Sequence, residues 1–413
     1  MFRNVVVALS GGVDSAVTAL LLQQKGFNVT AVFMQNWDIP DERGRCLVEE
    51  DYNDAQWVCK KLGITLHRVN FIKEYWNTVF SDLLEKYQNG ATPNPDILCN
   101  KHIKFDKFFK LVMQRFNADA IATGHYARSS FGPFLEQFQP DSDAKLLQAY
   151  DKNKDQTYFL SQISQEALRH TMFPLGEYYK SNVKKIALNA GFDLIVKKKE
   201  SMGICFIGKR DFKNFIAEYI QNKVGDFIDL ENGEILERHS GIHHYTVGQR
   251  IVIKHKPCIY FLYHKNIEAG RLTLVKENTN HPALYGDFLL CKDPHWISEE
   301  PSELRTNKQI FKCDFRFQHR NPQIPCKVCK LRSGDLAIQL STPLRALTKG
   351  QYCIFYRGKE CLGGAEISYP GPSYFMLDQK VTKYVISYQQ EQQRLEKICS
   401  INKMKNKRTI NVH

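Results

Sequence analysis

A chain of 413 residues exceeds what one ordinary hydrophobic core organises, so two or three domains are expected. With 43% hydrophobic and 24% charged residues it reads as a soluble globular protein, and the absence of any apolar run near ~20 residues excludes a membrane-spanning one. The net charge of +13 favours an anionic partner, nucleic acid above all. Part of that charge lies in a tail: from Gly371 onward eight Lys and Arg stand against three Asp and Glu, a surplus of +5 that leaves +8 on the body. Twelve cysteines without a secretory signal point to a reducing compartment and to thiols, not to a disulfide framework. Met1 to Asn4 runs straight into the first strand, so no leader of ordinary length is expected before the fold.

The apolar run Asn4 to Leu9 reads as a strand and Ala16 to Lys25 as a helix. Between them stands Ser10-Gly11-Gly12-Val13-Asp14-Ser15. Strand, Gly-rich turn and helix start make a phosphate cradle: Gly11 and Gly12 allow a tight turn and close approach, Ser15 is the expected cap, and helix amides face the anion. The run lacks the Gly-Lys-Ser/Thr of the Walker loop and the three-glycine dinucleotide fingerprint. It matches the pyrophosphate loop of enzymes that split ATP into AMP and pyrophosphate to adenylate an oxygen.

Further along, strands are expected at Asn28 to Met34, Thr65 to Asn70 and Asp119 to Thr123, and helices at Tyr52 to Leu62, Ile72 to Tyr87 and Ile103 to Phe116. This alternation predicts a doubly wound parallel sheet whose ligands sit beyond the strand C-termini. Gly11, Met34, Gly124 and His125 all follow strand ends and should converge on one crevice. A helical segment Gln156 to Leu168 and the region to Lys199 complete the first domain, placed at 1–208. A small central α+β domain is expected over 209–283, with a short helix at Asp211 to Gln221 and short strands at Gly225 to Leu236 and Gly241 to Gln249. Six short strands from Asp287 to Ser368 predict a C-terminal β-barrel over 284–370, followed by a basic, disordered tail over 371–413. The pair Cys326 and Cys329 has metal spacing, but residues three apart on a strand face opposite ways.

Two cysteines stand out by context. Cys99 follows Thr92-Pro93-Asn94-Pro95-Asp96-Ile97-Leu98, a proline-stiffened loop expected to end at a helix; Cys205 lies in Glu200-Ser201-Met202-Gly203-Ile204-Cys205. Lys101, Lys104 and Lys209 nearby would favour thiolates.

Together with the pyrophosphate loop, these segments resemble the tRNA-specific 2-thiouridylases over residues 2 to about 370. The resemblance implies an enzyme that uses ATP to adenylate the 2-oxygen of the wobble uridine of tRNA and replaces it with sulfur. It implies that a persulfide on Cys205 carries the sulfur and that Cys99 acts with it, either freeing hydrosulfide and leaving a disulfide or assisting direct attack by the persulfide. Carried over by motif, Ala8, Leu9, Ser10, Gly11, Gly12, Val13, Asp14, Ser15, Met34 and Gly124 bind ATP, with Asp14 holding Mg²⁺ and pyrophosphate. Asn94, Pro95 and Asp96 face the target base, and His125, Lys154, Asp155, Gln156 and Gln351 contact tRNA. Gln318 and His319 stand where many members have Arg-Tyr. The run before Cys205 is like that of the mitochondrial animal branch, which implies a mitochondrial location; the partners expected are tRNA and a persulfide-donor protein, with no membrane and a monomeric enzyme.

Three other readings stay open at this level: a pyrophosphate-loop synthetase or amidotransferase on a small molecule, an idle tRNA-binding protein, and a thiol-disulfide switch. None of them needs the cradle, both cysteines and the basic body together.

Overall fold

A computed structural model of the chain describes residues 2–38, 47–198, 211–276, 280–305 and 309–377. Cys205, Lys209 and the tail beyond Leu377 lie outside the described residues.

The first compact unit comprises residues 1–222, 290–338 and 349–369. It opens with β1 (Asn4–Ala8), α1 (Val13–Gln24), β2 (Asn28–Gln35), α2 (Leu47–Leu62) and β3 (Thr65–Asn70). Three consecutive helical pieces follow: α3 (Ile72–Tyr75), a π-helical stretch (Trp76–Phe80) and α4 (Ser81–Gln88). Next come α5 (Pro95–Leu98), a second π-helical stretch (Cys99–Phe108), α6 (Phe109–Arg115) and β4 (Ala120–Ala122). A hairpin of β5 (Ala127–Ser129) and β6 (Leu146–Gln148) leads to α7 (Thr157–Leu160), α8 (Gln165–Arg169), β7 (Thr171–Met172), α9 (Lys180–Asn189), α10 (Asp193–Val196) and α11 (Phe212–Ala217).

Strands β3-β2-β1-β4-β7 form one parallel sheet. Val5, Val6 and Val7 are buried on both faces, as the continuous apolar runs of central parallel strands require. The chain winds outward from β1 through β2 to β3 on one side and from β4 to β7 on the other. The switch point thus lies between β1 and β4, and the loops after those strands bound the ligand crevice.

Two expected helices differ in detail. The Ile103 helix begins instead at Pro95, because Asn94 caps it, its Oδ1 accepting from the Ile97 amide at 3.3 Å, and Pro95 occupies the first helical position. The segment Gln156 to Leu168 breaks in two at Ser164, whose hydroxyl caps α8.

Strands β13 (Tyr285–Trp296), β14 (Phe311–Arg316), β15 (Ile324–Lys330), β16 (Leu336–Arg345), β17 (Tyr352–Arg357) and β18 (Glu360–Tyr369), numbered after those of the second unit, close on themselves in the order β13-β16-β15-β14-β17-β18. This is the expected six-stranded barrel. The β5–β6 hairpin adds to its sheet, Leu146 and Leu147 pairing with Cys361 and Glu360. Cys326 is buried against Cys313, its cross-strand partner, with the sulfurs 3.5 Å apart, whereas the Cys329 sulfur contacts the Lys330 carbonyl.

The second unit comprises residues 223–289, 339–348 and 370–413. Strands β8 (Gly225–Asp229), β9 (Ile235–His239), β10 (Arg250–Val252), β11 (Ile259–Asn266) and β12 (Arg271–Lys276) form a sheet in the order β10-β11-β12-β8-β9 around Phe227, Ile251, Leu262, Leu272 and Leu274. The expected strand Gly241 to Gln249 is instead a 3₁₀ turn at Ile242–His244 with a tight turn at Gly248, φ +83°. No helix among the described residues is long and apolar enough to cross a membrane.

Candidate active site

β1 ends at Ala8, and the Leu9 amide still donates to Val32 of β2 at 3.0 Å, so the cradle starts from a fixed strand end. Gly11 then takes φ +79°, and a Cβ there would meet the Asp51 carbonyl oxygen at 2.3 Å. Only glycine serves at that position. Gly12 is different from expectation: its φ of −87° and ψ of 162° suit any residue, and a Cβ would find only Ser10 Oγ, at 3.6 Å. Gly12 rather than Ser15 is the cap of α1, with no side-chain hydrogen bond. Ser15 sits three residues on, where its hydroxyl accepts from the Ser10 amide at 3.1 Å and donates to the Gly12 carbonyl at 3.0 Å. It braces the loop rather than capping the helix. The start of α1 thereby faces the crevice, with Val13 buried beneath it.

The loop after β4 closes directly on this helix start. A Cβ on Gly124 would lie 2.8 Å from the Ser15 nitrogen and 2.9 Å from the Asp14 carbonyl carbon. Gly124→Ala is therefore expected to destabilise the protein by about 1–3 kcal/mol through forced backbone movement. Gly12→Ala meets only an ordinary contact and should leave the denaturation midpoint unchanged. Urea titration of both variants checks this, and equal midpoints would contradict the packing described.

Two residues that no local motif announces complete the cradle. The Tyr126 hydroxyl donates to Asp14 Oδ1 at 2.9 Å, and Lys180 Nζ donates to both Asp14 oxygens at 2.7 Å. Tyr126 and Gln156 clamp each other: the Tyr126 amide donates to Gln156 Oε1 at 2.9 Å, and the Gln156 amide donates to the Tyr126 carbonyl at 2.8 Å. Met34 lies one residue before the end of β2, beside Val69 of β3 and partly buried.

His125 stands between the cradle and the cysteine-bearing helix. Burial, reinforced by the Lys104 charge, holds its imidazole well below its usual pKa, so the ring is neutral. Lys104 Nζ approaches His125 Nε2 at 3.5 Å, and His125 Nδ1 lies 2.9 Å from Thr123 Oγ1. With Nε2 facing an ammonium, we assign the ring proton to Nδ1, donating to Thr123. The same Lys104 acts on Asp96, whose carboxyl burial pushes above the usual range while Lys104 draws it back.

Cys99 is the first residue of the second π-helical stretch and is 5% exposed. Wider i→i+5 turns of this kind concentrate at functional sites. Asn100 beside it donates from Nδ2 to the Phe159 carbonyl at 3.0 Å, and Lys101 Nζ reaches Gln162 Oε1 at 3.4 Å. The preceding loop is pinned by the barrel. Gln351 Nε2 donates to the Thr92 carbonyl at 2.9 Å, and the Thr92 amide donates to the Lys349 carbonyl at 2.8 Å. Gly350 approaches so closely, at φ +89°, that a Cβ would lie 3.0 Å from that of Ala91. Gln351 thus holds the Asn94-Pro95-Asp96 turn in place.

The remaining residues expected to touch RNA divide. Lys154 is half-buried and Gln318 exposed, while Gln156 is committed to Tyr126. Asp155 is only 1% exposed, so its carboxylate does not face a ligand. Its oxygens accept from the Ala149 amide at 3.0 Å, Thr157 Oγ1 at 2.9 Å and Arg316 Nη1 at 3.2 Å. Any effect of Asp155 on RNA binding is therefore indirect. His319 Nε2 donates to the Asp155 carbonyl at 2.5 Å, and its ring lies 4.9 Å from that of Phe159; burial lowers its pKa.

Family models match nearly the whole described chain: tRNA methyl transferase HUP domain over residues 3–209, tRNA methyl transferase PRC-barrel domain over 213–276, and aminomethyltransferase beta-barrel domain over 287–367. The mitochondrial tRNA-specific 2-thiouridylase 1 of Drosophila melanogaster is 48% identical over 372 residues, spanning 90% of this chain and 95% of the relative. The protein of the same name from Homo sapiens is 47% identical over 390 residues, 91% and 92% of the two chains, and that from Gallus gallus 46% over 400 residues, 91% and 94%. On that identity and coverage, the chain belongs to the mitochondrial tRNA-specific 2-thiouridylase family.

Proposed function

We propose that this protein is an ATP-dependent tRNA-uridine 2-sulfurtransferase of mitochondria, acting on the wobble uridine. Membership of the family supports the substrate class and the compartment. The observation that carries the reading is structural: an anion cradle and a cysteine-bearing π-helical stretch meet through Lys104, which touches His125 on one side and acts on Asp96 on the other. This supports reading the nucleotide-activating site and the thiol site as parts of one crevice.

The cradle fits the phosphates of ATP. Gly11 and Gly124 bring backbone close to the helix start, and Gly12 leaves open the space that a Cβ would fill. Adenylation would convert the 2-oxygen of uridine into a leaving group, AMP, with the amides of the loop and first helical turn, Gly11 to Ser15, facing the departing pyrophosphate. Mg²⁺ suits Asp14 as its protein ligand. Among the described residues no three acidic, His or Cys side chains converge, and Mg²⁺ takes its other ligands from phosphates and water.

Asn94, Pro95 and Asp96 would receive the extruded base, since sequence-specific RNA readers act on unstacked bases. Cys205 would carry the persulfide delivered by a donor protein. The Cys99 thiolate would attack its inner sulfur, forming a Cys99–Cys205 disulfide and freeing hydrosulfide, which displaces AMP from the activated base, and a thiol reductant would reopen the disulfide for the next turnover. The domains proposed for this work are 1–208 for chemistry, 209–283 as a central module and 284–370 as a barrel that grips the RNA backbone. The enzyme would act as a monomer.

Incubation of unmodified tRNA with the protein, ATP, Mg²⁺ and a sulfide source tests this, thiolated product being retarded on a mercury-containing gel. Sulfur incorporation that requires ATP is expected, with pyrophosphate release that requires tRNA. Pyrophosphate release with a small acceptor and no tRNA would sink the reading in favour of a synthetase. Binding of tRNA should weaken steeply as salt rises, since lysines and arginines release counterions from phosphates.

A further inference from the structure

Lys180 has no role in the reading above, yet its ammonium lies in the phosphate cradle. It is the first residue of α9, fixed there by its own amide, which donates to Asp151 Oδ2 at 3.0 Å. Its side chain is 11% exposed against 32% for that of Asp14. Nζ donates to both Asp14 oxygens at 2.7 Å and lies 5.7 Å from the centroid of the Tyr126 ring, while the Tyr126 hydroxyl donates to the same carboxylate. The pair is therefore held in one place from three elements: α1, the loop after β4, and α9.

A partly buried ion pair adds little net stability, because desolvation offsets much of its attraction. Its placement is the informative feature. Nucleotide phosphates bring negative charge that competes with Asp14 for the ammonium, and Mg²⁺ brings positive charge that competes with Lys180 for the carboxylate. Each component of Mg²⁺-ATP takes the partner that the other leaves. A flexible four-carbon stem bearing a point charge suits such an exchange.

Resting on the ATP reading of this site, we propose that Lys180 is a phosphate-binding residue held in reserve by Asp14: when Mg²⁺-ATP enters, the ammonium passes from the carboxylate to phosphate oxygens and the carboxylate passes to the cation. Nucleotide alone must break the pair and leave Asp14 bare beside phosphates, so the arrangement selects the metal complex over free nucleotide.

The test is equilibrium binding of α,β-methylene-ATP to the full-length protein by calorimetry, with and without Mg²⁺, thermal melts reporting that each variant is folded. Lys180→Met should bind the Mg²⁺ complex about tenfold or more weakly than wild type, the loss expected for a charged hydrogen bond. Lys180→Gln serves if the methionine variant does not fold. Asp14→Asn releases the ammonium, so it should bind the metal-free analogue more tightly than wild type and gain nothing from Mg²⁺. Wild-type affinity in the Lys180 variants would overturn the phosphate-binding role, and weaker metal-free binding by Asp14→Asn would overturn the exchange. If wild type itself does not bind the analogue, the ATP reading fails, and that result is distinct from either.

Discussion

Cys99→Ser is expected to lower 2-thiouridine formation by about three orders of magnitude or more, the scale of losing a nucleophile, while tRNA-dependent pyrophosphate release stays near wild type. The split follows from where the residue stands. Cys99 begins the π-helical stretch, and Lys104 of the same stretch approaches His125, the residue after Gly124, so adenylation and sulfur transfer are assigned to different side chains. Serine keeps the volume and loses the polarisable, readily ionised sulfur. Single-turnover assays in which a persulfide donor rather than free sulfide supplies the sulfur, reading pyrophosphate and thiolated tRNA in the same reaction, check this. Normal thiolation by the variant would remove Cys99 from the chemistry, and parallel loss of pyrophosphate release would make it part of the adenylation site.

The largest effect on stability is expected at Asp155. Removing its carboxylate by Asp155→Ala leaves the Arg316 guanidinium, whose side chain is 11% exposed, without its anionic partner. Breaking such a buried pair from one side costs about 3–5 kcal/mol. The Ala149 amide and the Thr157 hydroxyl lose their acceptor as well. Chemical denaturation should show a midpoint shift of that size, with Asp155→Asn intermediate because it keeps one carbonyl acceptor. A small shift accompanied by a large loss of tRNA affinity would return Asp155 to the RNA-contacting surface.

The two residues differ in how legible they were. Cys99 stands in a proline-stiffened context that singles it out as a candidate only together with the family resemblance. Asp155 is expected by that resemblance to contact tRNA, and nothing in Lys154-Asp155-Gln156 announces that Arg316 of β14, the Ala149 amide and Thr157 take up its carboxylate. The doubly wound sheet was legible because buried parallel strands are continuous apolar runs, as at Val5 to Ala8 and Ala31 to Phe33. β7 was not, since two residues carry no period. That omission cost the site a residue. The rule that picks out Gly11 and Gly124, each following a strand end, picks out the segment after β7 too, and Lys180 lies there, 166 residues from its Asp14 partner; Met34, chosen by the same rule, falls inside β2. Tyr126 was equally hidden: it neighbours His125, but nothing in a tyrosine after a histidine indicates a carboxylate 112 residues earlier.

The pairing of the β5–β6 hairpin with β18 joins Leu146 to Cys361, 215 residues further along the chain. During synthesis the hairpin leaves the ribosome long before the strand that covers it. At the known pace of translation, about 5–20 residues per second, that edge stays open for ten seconds or more. An open edge is a template for other strands until β18 covers it. A premature stop before β18 would then do more than remove the barrel's last strand: it would leave the edge of β6 permanently uncovered and route the product to aggregation or proteolysis.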